Sequence, residues 1–132
     1  MVAVPNLDEN SDGGTVIQVE EGIPDSLMGV DVGPKTIDLY ASELSKARCV
    51  LWNGPLGVFE IPSFAKGTHA IAEILAQSSA TTIIGGGDSV AAINQLGIVQ
   101  QFDHLSTGGG ASLEYIEHGT LPGIDALTQV EM

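Results

Sequence analysis

Residues 81–90, Thr-Thr-Ile-Ile-Gly-Gly-Gly-Asp-Ser-Val, constrain the fold of this chain more than any other stretch. Ile83 and Ile84 between β-branched threonines suit a strand packed on both faces. Three consecutive glycines then permit a sharp turn and leave no side chain between the backbone amides and a ligand. Asp88 or Ser89 is placed to cap a helix running on through Val90-Ala91-Ala92-Ile93. A strand, a glycine turn and a helix N-terminus together offer free N–H groups and a positive dipole end to an anion such as phosphate. Taken alone, the same turn also serves simply to join a strand to a helix.

The remaining chain repeats the pattern. Met28–Val32 is apolar and ends in Gly33-Pro34, with Pro34 suited to a first helical turn and Ile37, Leu39, Tyr40 and Leu44 forming a helical stripe to about Ala47. Arg48–Trp52 is the next strand. It leads into Asn53-Gly54-Pro55-Leu56-Gly57-Val58-Phe59-Glu60, a loop richer in functional side chains than a plain connector needs. Pro62 and Ser63 introduce a helix with Phe64, Ile71, Ile74 and Leu75 on one side. After the 81–90 element, His104–Thr107 leads into a second triplet, Gly108-Gly109-Gly110, and a further helix to His118-Gly119.

Strand and helix in alternation imply an α/β fold, a Rossmann-like parallel sheet with helices on both faces in three α/β/α layers. With 132 residues there is room for one domain, here a partial one. Both glycine triplets follow strands and precede helices, so both belong at the carboxyl edge of the sheet. If their strands are neighbours, two helix N-termini and the Asn53–Glu60 loop converge on one crevice, where open α/β sheets bind ligands.

Charge narrows the function. Four basic residues, Lys35, Lys46, Arg48 and Lys66, face 17 acidic ones for a net charge of −13, which argues against nucleic acid as a partner. Any phosphate handled here must be met by amides, helix dipoles and a divalent cation, or else the basic residues sit on a part of the protein outside this chain. No apolar run is long enough to cross a bilayer, and the first residues lack the pattern of a secretory signal. The single cysteine, Cys49, is expected to be a small buried residue, and these features together favour a reducing, cytoplasmic setting. Asp8-Glu9-Asn10-Ser11-Asp12-Gly13 opens like a calcium loop, but the twelfth position is Val19, with Glu20 one place late, so it reads as a polar turn. Thr15–Glu20 alternates as a half-exposed strand does. His69, His104 and His118 are dispersed and read as surface or packing residues.

Four motifs in order, Gly29–Thr36, Leu51–Glu60, Gly85–Ser89 and Ser106–Glu114, resemble the phosphoglycerate kinase family, as does Leu121-Pro122-Gly123-Ile124. The resemblance covers nearly the whole chain. It implies that residues 1–132 are the carboxyl-terminal portion of that enzyme's nucleotide-binding domain. The phosphoglycerate-binding domain with its catalytic arginine, and an early lysine-bearing glycine loop, would then lie outside this chain. The implied reaction is reversible phosphoryl transfer between 1,3-bisphosphoglycerate and ADP, giving 3-phosphoglycerate and ATP, with Mg2+ on the nucleotide and the full enzyme a monomer. By resemblance, Gly29, Val30, Pro55 and Val58 wall the adenine, Glu60 takes the ribose hydroxyls and Asn53 reaches the phosphates. Asp88 is the magnesium ligand, and Gly86, Gly87 and Ser89 bind the phosphate chain. Gly87 and Gly110 hold the transferring phosphoryl group, and Ser106 and Thr107 sit at the domain-closure hinge. Ser89 stands where the family usually has threonine, and it keeps the hydroxyl. Two other readings are a non-catalytic nucleotide or phosphate binder, and an inactive fragment that exposes apolar surface and self-associates.

Overall fold

A computed structural model describes residues 1–8 and 13–128; most of the calcium-like turn lies outside them. Three strands, β1 (Val2–Val4), β2 (Thr15–Val16) and β3 (Met28–Asp31), precede helix α1 (Pro34–Leu44). Then come β4 (Cys49–Asn53), α2 (Lys66–Ala76), β5 (Thr81–Gly85), α3 (Gly87–Leu96), β6 (His104–Ser106), α4 (Gly109–His118) and α5 (Pro122–Thr128).

The parallel sheet is β4-β5-β6, with Asn53 opposite Gly85 and Gly85 opposite Ser106. Parallel strands joined through a helix cross over right-handedly, so two such units stepping in one direction put both helices on the same face. Accordingly Ile71, Ala72 and Leu75 of α2 and Ile93 of α3 bury against Trp52 and Ile84, together with Phe102. Leu44 of α1 packs on the margin of this core. The opposite face, presented by Cys49, Leu51 and Ile83, lines a groove with Tyr115 and Ile116 of α4 and Ile124 of α5. The expected α/β fold with helices on both faces is therefore present, with the second face lightly covered.

The strand carrying Gly29 and Val30 departs from the expected repeat. It lies in a separate antiparallel sheet of order β2-β1-β3, with Ala3 opposite Gly29 and Val4 opposite Met28. An apolar run reports burial but does not choose a partner strand, and here β1 supplies the ladder. The strand expected over Thr15–Glu20 ends at Val16; Ile17 and Met1 exchange backbone bonds, and Val19–Glu21 turns as a short 3-10 helix. Cys49 is exposed rather than buried, because β4 is an edge strand and Cys49 points to the lightly covered face. His104 and His118 are exposed, as surface residues should be.

Asp31 ties the antiparallel sheet to α2. Its carboxylate is 7% exposed and accepts the Val32 N–H (2.8 Å) and the Gly67 N–H (2.9 Å) at the start of α2. A negative group at that helix end is favourable. Burial nevertheless pushes the Asp31 carboxyl above its ordinary range, against the lowering effect of the Gly67 and Val32 N–H groups and of nearby His69. The folded chain thus holds this proton at a pH where the unfolded chain has released it. That contribution to stability is full below the unfolded value and is lost as pH rises through the folded one. Asp31→Asn lacks the titration, so its stability relative to the native chain should rise as pH increases across this window and then level off. Denaturant unfolding of both chains over a pH series checks this, and parallel curves would contradict it.

Candidate functional site

The carboxyl ends of β4, β5 and β6 bring three segments together. Gly86 turns the chain out of β5 with φ of +93°, a conformation that costs an L side chain heavily. Its N–H donates to the Ser106 carbonyl at the end of β6 (2.8 Å), which fastens one glycine turn to the other. A Cβ on Gly86 would lie 2.8 Å from the Asn53 Oδ1, and one on Gly109 would lie 2.6 Å from the same oxygen and 2.8 Å from the Gly86 Cα. Asn53, exposed at the end of β4, therefore has its Oδ1 close to both turns.

Gly87 and Gly110 differ from these. Each occupies an ordinary helical position in a first turn, is exposed, and would meet nothing within 4 Å if given a Cβ. Packing requires glycine at Gly86 and Gly109 and does not require it at Gly87 or Gly110. Asp88 is also exposed in the first turn of α3. Neither Asp88 nor Ser89 caps that helix: the cap position is Gly86, with no side-chain bond. Ser89 instead lies fully buried, its Oγ accepting the Gly54 N–H at 2.7 Å.

The Asn53–Glu60 loop is strapped at every second amide to a different element. Gly54 bonds to Ser89 of α3, Leu56 to the Thr68 Oγ1 of α2 (3.0 Å), and Val58 to the Val30 carbonyl of β3 (2.9 Å). The Trp52 indole N–H also donates to the Gly54 carbonyl at 2.6 Å. The last strap brings Val58 onto Val30, beside Val4, Ile61 and Phe64, so these two sequence-predicted residues meet. Gly29 is exposed next to them and Glu60 is exposed at the end of the loop. Pro55 is turned elsewhere, lining a groove with Tyr40, Leu44, Trp52 and Leu56. Ser106 is half-buried and its Oγ accepts the Gly108 N–H at 3.3 Å, while Thr107 is exposed.

Sequence reasoning missed Thr68 and Asp31. The signal was a polar residue on a buried pattern: Thr68 stands four residues after Phe64 and three before Ile71, and Asp31 interrupts an apolar strand. His69 is also more enclosed than a surface residue, with its Nε2 buried and unpartnered and the ring in the field of Asp31.

Among the described residues no three His, Cys, Asp or Glu side chains cluster in a way that could hold a metal by themselves. A lone exposed carboxylate such as Asp88 fits a hard cation held mainly by a ligand's phosphates, which is how Mg2+ is commonly bound. No helix among the described residues is long and apolar enough to cross a membrane.

A parallel α/β sheet with two glycine turns and an asparagine gathered at its carboxyl edge defines the class of open-sheet proteins with a crevice at the strand ends. Residues 1–119 match the family model for phosphoglycerate kinase. The chain is 55% identical over 116 residues to phosphoglycerate kinase of Clostridium tetani, covering 88% of this chain and 29% of that protein. It is 48% identical over 131 residues to that of Rubrobacter xylanophilus, covering 99% of this chain and 33% of that protein. The solved structure of phosphoglycerate kinase from Coxiella burnetii superposes with a TM-score of 0.85 at 41% identity, covering 97% of this chain and 33% of the other. The chain belongs to the phosphoglycerate kinase family. It spans about a third or less of the length of these relatives.

The glycines provide a direct check on the geometry. Gly86→Ala should lower stability by about 1–3 kcal/mol through backbone strain and collision with Asn53. Gly87→Ala and Gly110→Ala should leave it unchanged or raise it by up to about 1 kcal/mol, since alanine favours a helix. Chemical denaturation reads the difference, and equal losses in all three variants would contradict it.

Proposed function

We propose that this chain is the carboxyl-terminal portion of a phosphoglycerate kinase nucleotide-binding domain and carries its Mg-ADP/ATP site. One observation carries the reading: Gly87 and Gly110 are glycine where packing asks for none, at two helix N-termini whose leading turns meet at Gly86 and Gly109. An absent side chain there serves the approach of a ligand, not the approach of the protein to itself. In the parent enzyme, phosphoryl transfer between 1,3-bisphosphoglycerate and ADP is reversible, giving 3-phosphoglycerate and ATP.

The roles follow the geometry. Amides at Gly87 and in the first turns of α3 and α4 meet phosphate oxygens, aided by two helix dipoles, whereas Gly86 shapes the turn because its own N–H is taken by the Ser106 carbonyl. Gly87 and Gly110 hold the transferring group, whose spread negative charge is stabilised by oriented donors rather than by a covalent step. Asn53, its Oδ1 close to both turns, presents its amide to the phosphates. Asp88 would hold Mg2+, which neutralises phosphate charge when bound. Gly29, Val30 and Val58 form an apolar wall for the base and Glu60 takes the ribose hydroxyls, while Pro55, turned to the groove with Tyr40 and Trp52, lies outside that wall. Ser89 serves through Gly54, holding the loop that bears Asn53. Ser106 and Thr107, at the junction of β6 and α4, are placed for a hinge. The parent acts in the cytoplasm as a monomer.

The acceptor-binding part and the basic groups belong to the two-thirds of the relatives beyond this match, so the isolated chain binds without turning over. Calorimetry with ADP should show Mg2+-dependent heat that Asp88→Ala reduces at least about tenfold in affinity, and a coupled assay should show no turnover. No heat at millimolar ADP would contradict the reading, as would full activity of the chain alone.

A further inference from the structure

The three straps on the Asn53–Glu60 loop are not equivalent. Ser89 lies in the phosphate-binding turn and Val30 in the base wall, so each is tied to a proposed ligand contact. Thr68 is the middle strap and touches neither. It is 0% exposed, in the first turn of α2, and its Oγ1 accepts the Leu56 N–H at 3.0 Å. The same turn is fastened to β3 through the Gly67 N–H and the Asp31 carboxylate. The loop also passes hard against that carboxylate, for a Cβ on Gly57 would collide with Asp31 Oδ1 and the Phe64 carbonyl. A buried hydroxyl spent on a loop amide, in a helix already anchored to the strand beneath the loop, fixes the height at which the loop crosses the crevice rim.

We propose that Thr68 is a positioning residue for nucleotide: its hydroxyl sets where Pro55–Glu60 lies, and so governs the hold on base and ribose but not on phosphate. This rests on the nucleotide reading above. The phosphate end is held independently, because the Asn53 Oδ1 lies against Gly86 and Gly109 and Gly54 is bonded to Ser89 and Trp52. Loss of the Thr68 hydroxyl leaves the half-buried Leu56 amide without its acceptor and frees the centre of the loop.

Thr68→Val keeps the shape and removes the acceptor, whereas Thr68→Ser keeps the acceptor. Each chain is titrated with Mg-ADP and with Mg-pyrophosphate. Thr68→Val should weaken ADP about tenfold and leave pyrophosphate within about twofold, and Thr68→Ser should bind ADP like the native chain. Equal weakening of both ligands, unchanged ADP binding, or no rescue by serine would overturn the proposal. Amide exchange without ligand is a second reading: Thr68→Val should speed exchange at Leu56 about tenfold or more over β5 amides, and Thr68→Ser should not. Unchanged exchange at Leu56 would overturn the positioning role itself. A native chain that binds neither ligand would overturn the nucleotide reading and the base-selective effect, while exchange at Leu56 would still decide whether Thr68 holds the loop.

Discussion

Backbone meets backbone where Gly109 approaches Gly86, with the Asn53 amide against both. That contact depends on the absence of two Cβ atoms, and the rest of the crevice is arranged around it. Because the strands run parallel in the order β4-β5-β6, the ends of all three fall on one edge, and each end contributes one partner to the contact. The Gly86–Ser106 bond then sets the separation of two helix N-termini. Gly87 and Gly110, one position further along, are exposed and have nothing within 4 Å of where a Cβ would stand.

Around this contact the loop is held by polar groups that folding has hidden. Thr68 and Ser89 are fully buried and Asp31 nearly so, and each sits on a separate element. A buried hydroxyl or carboxylate is tolerated because loop amides and the α2 terminus satisfy it. The reward is a loop of defined height, built without regular secondary structure. On the other side of the sheet the cover is thin: Leu113, Tyr115, Ile116, Ile124 and Leu127 of α4 and α5 are all exposed. Such a face accords with a chain that matches only 33% of the Rubrobacter xylanophilus protein and of the Coxiella burnetii structure.

Much of this could be read from residue order. The glycine triplets, the apolar strands and the helical stripes locate β4 through α4, while residue order leaves open which strands are neighbours, and the order β4-β5-β6 comes from the fold. Of the residues that the family resemblance nominates, Asn53 and Gly86 lie together, and the third partner is Gly109, which it does not nominate. The pairing of β3 was not legible, because Met28–Val32 shows that it is apolar without showing that β1 lies beside it. Nor was the fate of Ser89, since a hydroxyl at a helix start reads as a cap until Gly54, 35 residues away, takes it. Cys49 misled for a related reason: burial averages describe central strands, and β4 is at an edge. Thr68 and Asp31 left a trace as polar residues on buried patterns, but the pattern does not say which distant amide they serve.

The central claim is that two amide-lined helix starts form one phosphate site. The most direct measurement is a residue-resolved amide NMR titration of the chain with Mg-ADP. Concerted shifts at Gly86, Gly87, Asp88, Gly109 and Gly110 on a single binding curve are expected, with the amides of Lys35 and Thr36 at the start of α1 unmoved. Shifts confined to one turn, or appearing instead at the start of α1, would contradict the claim.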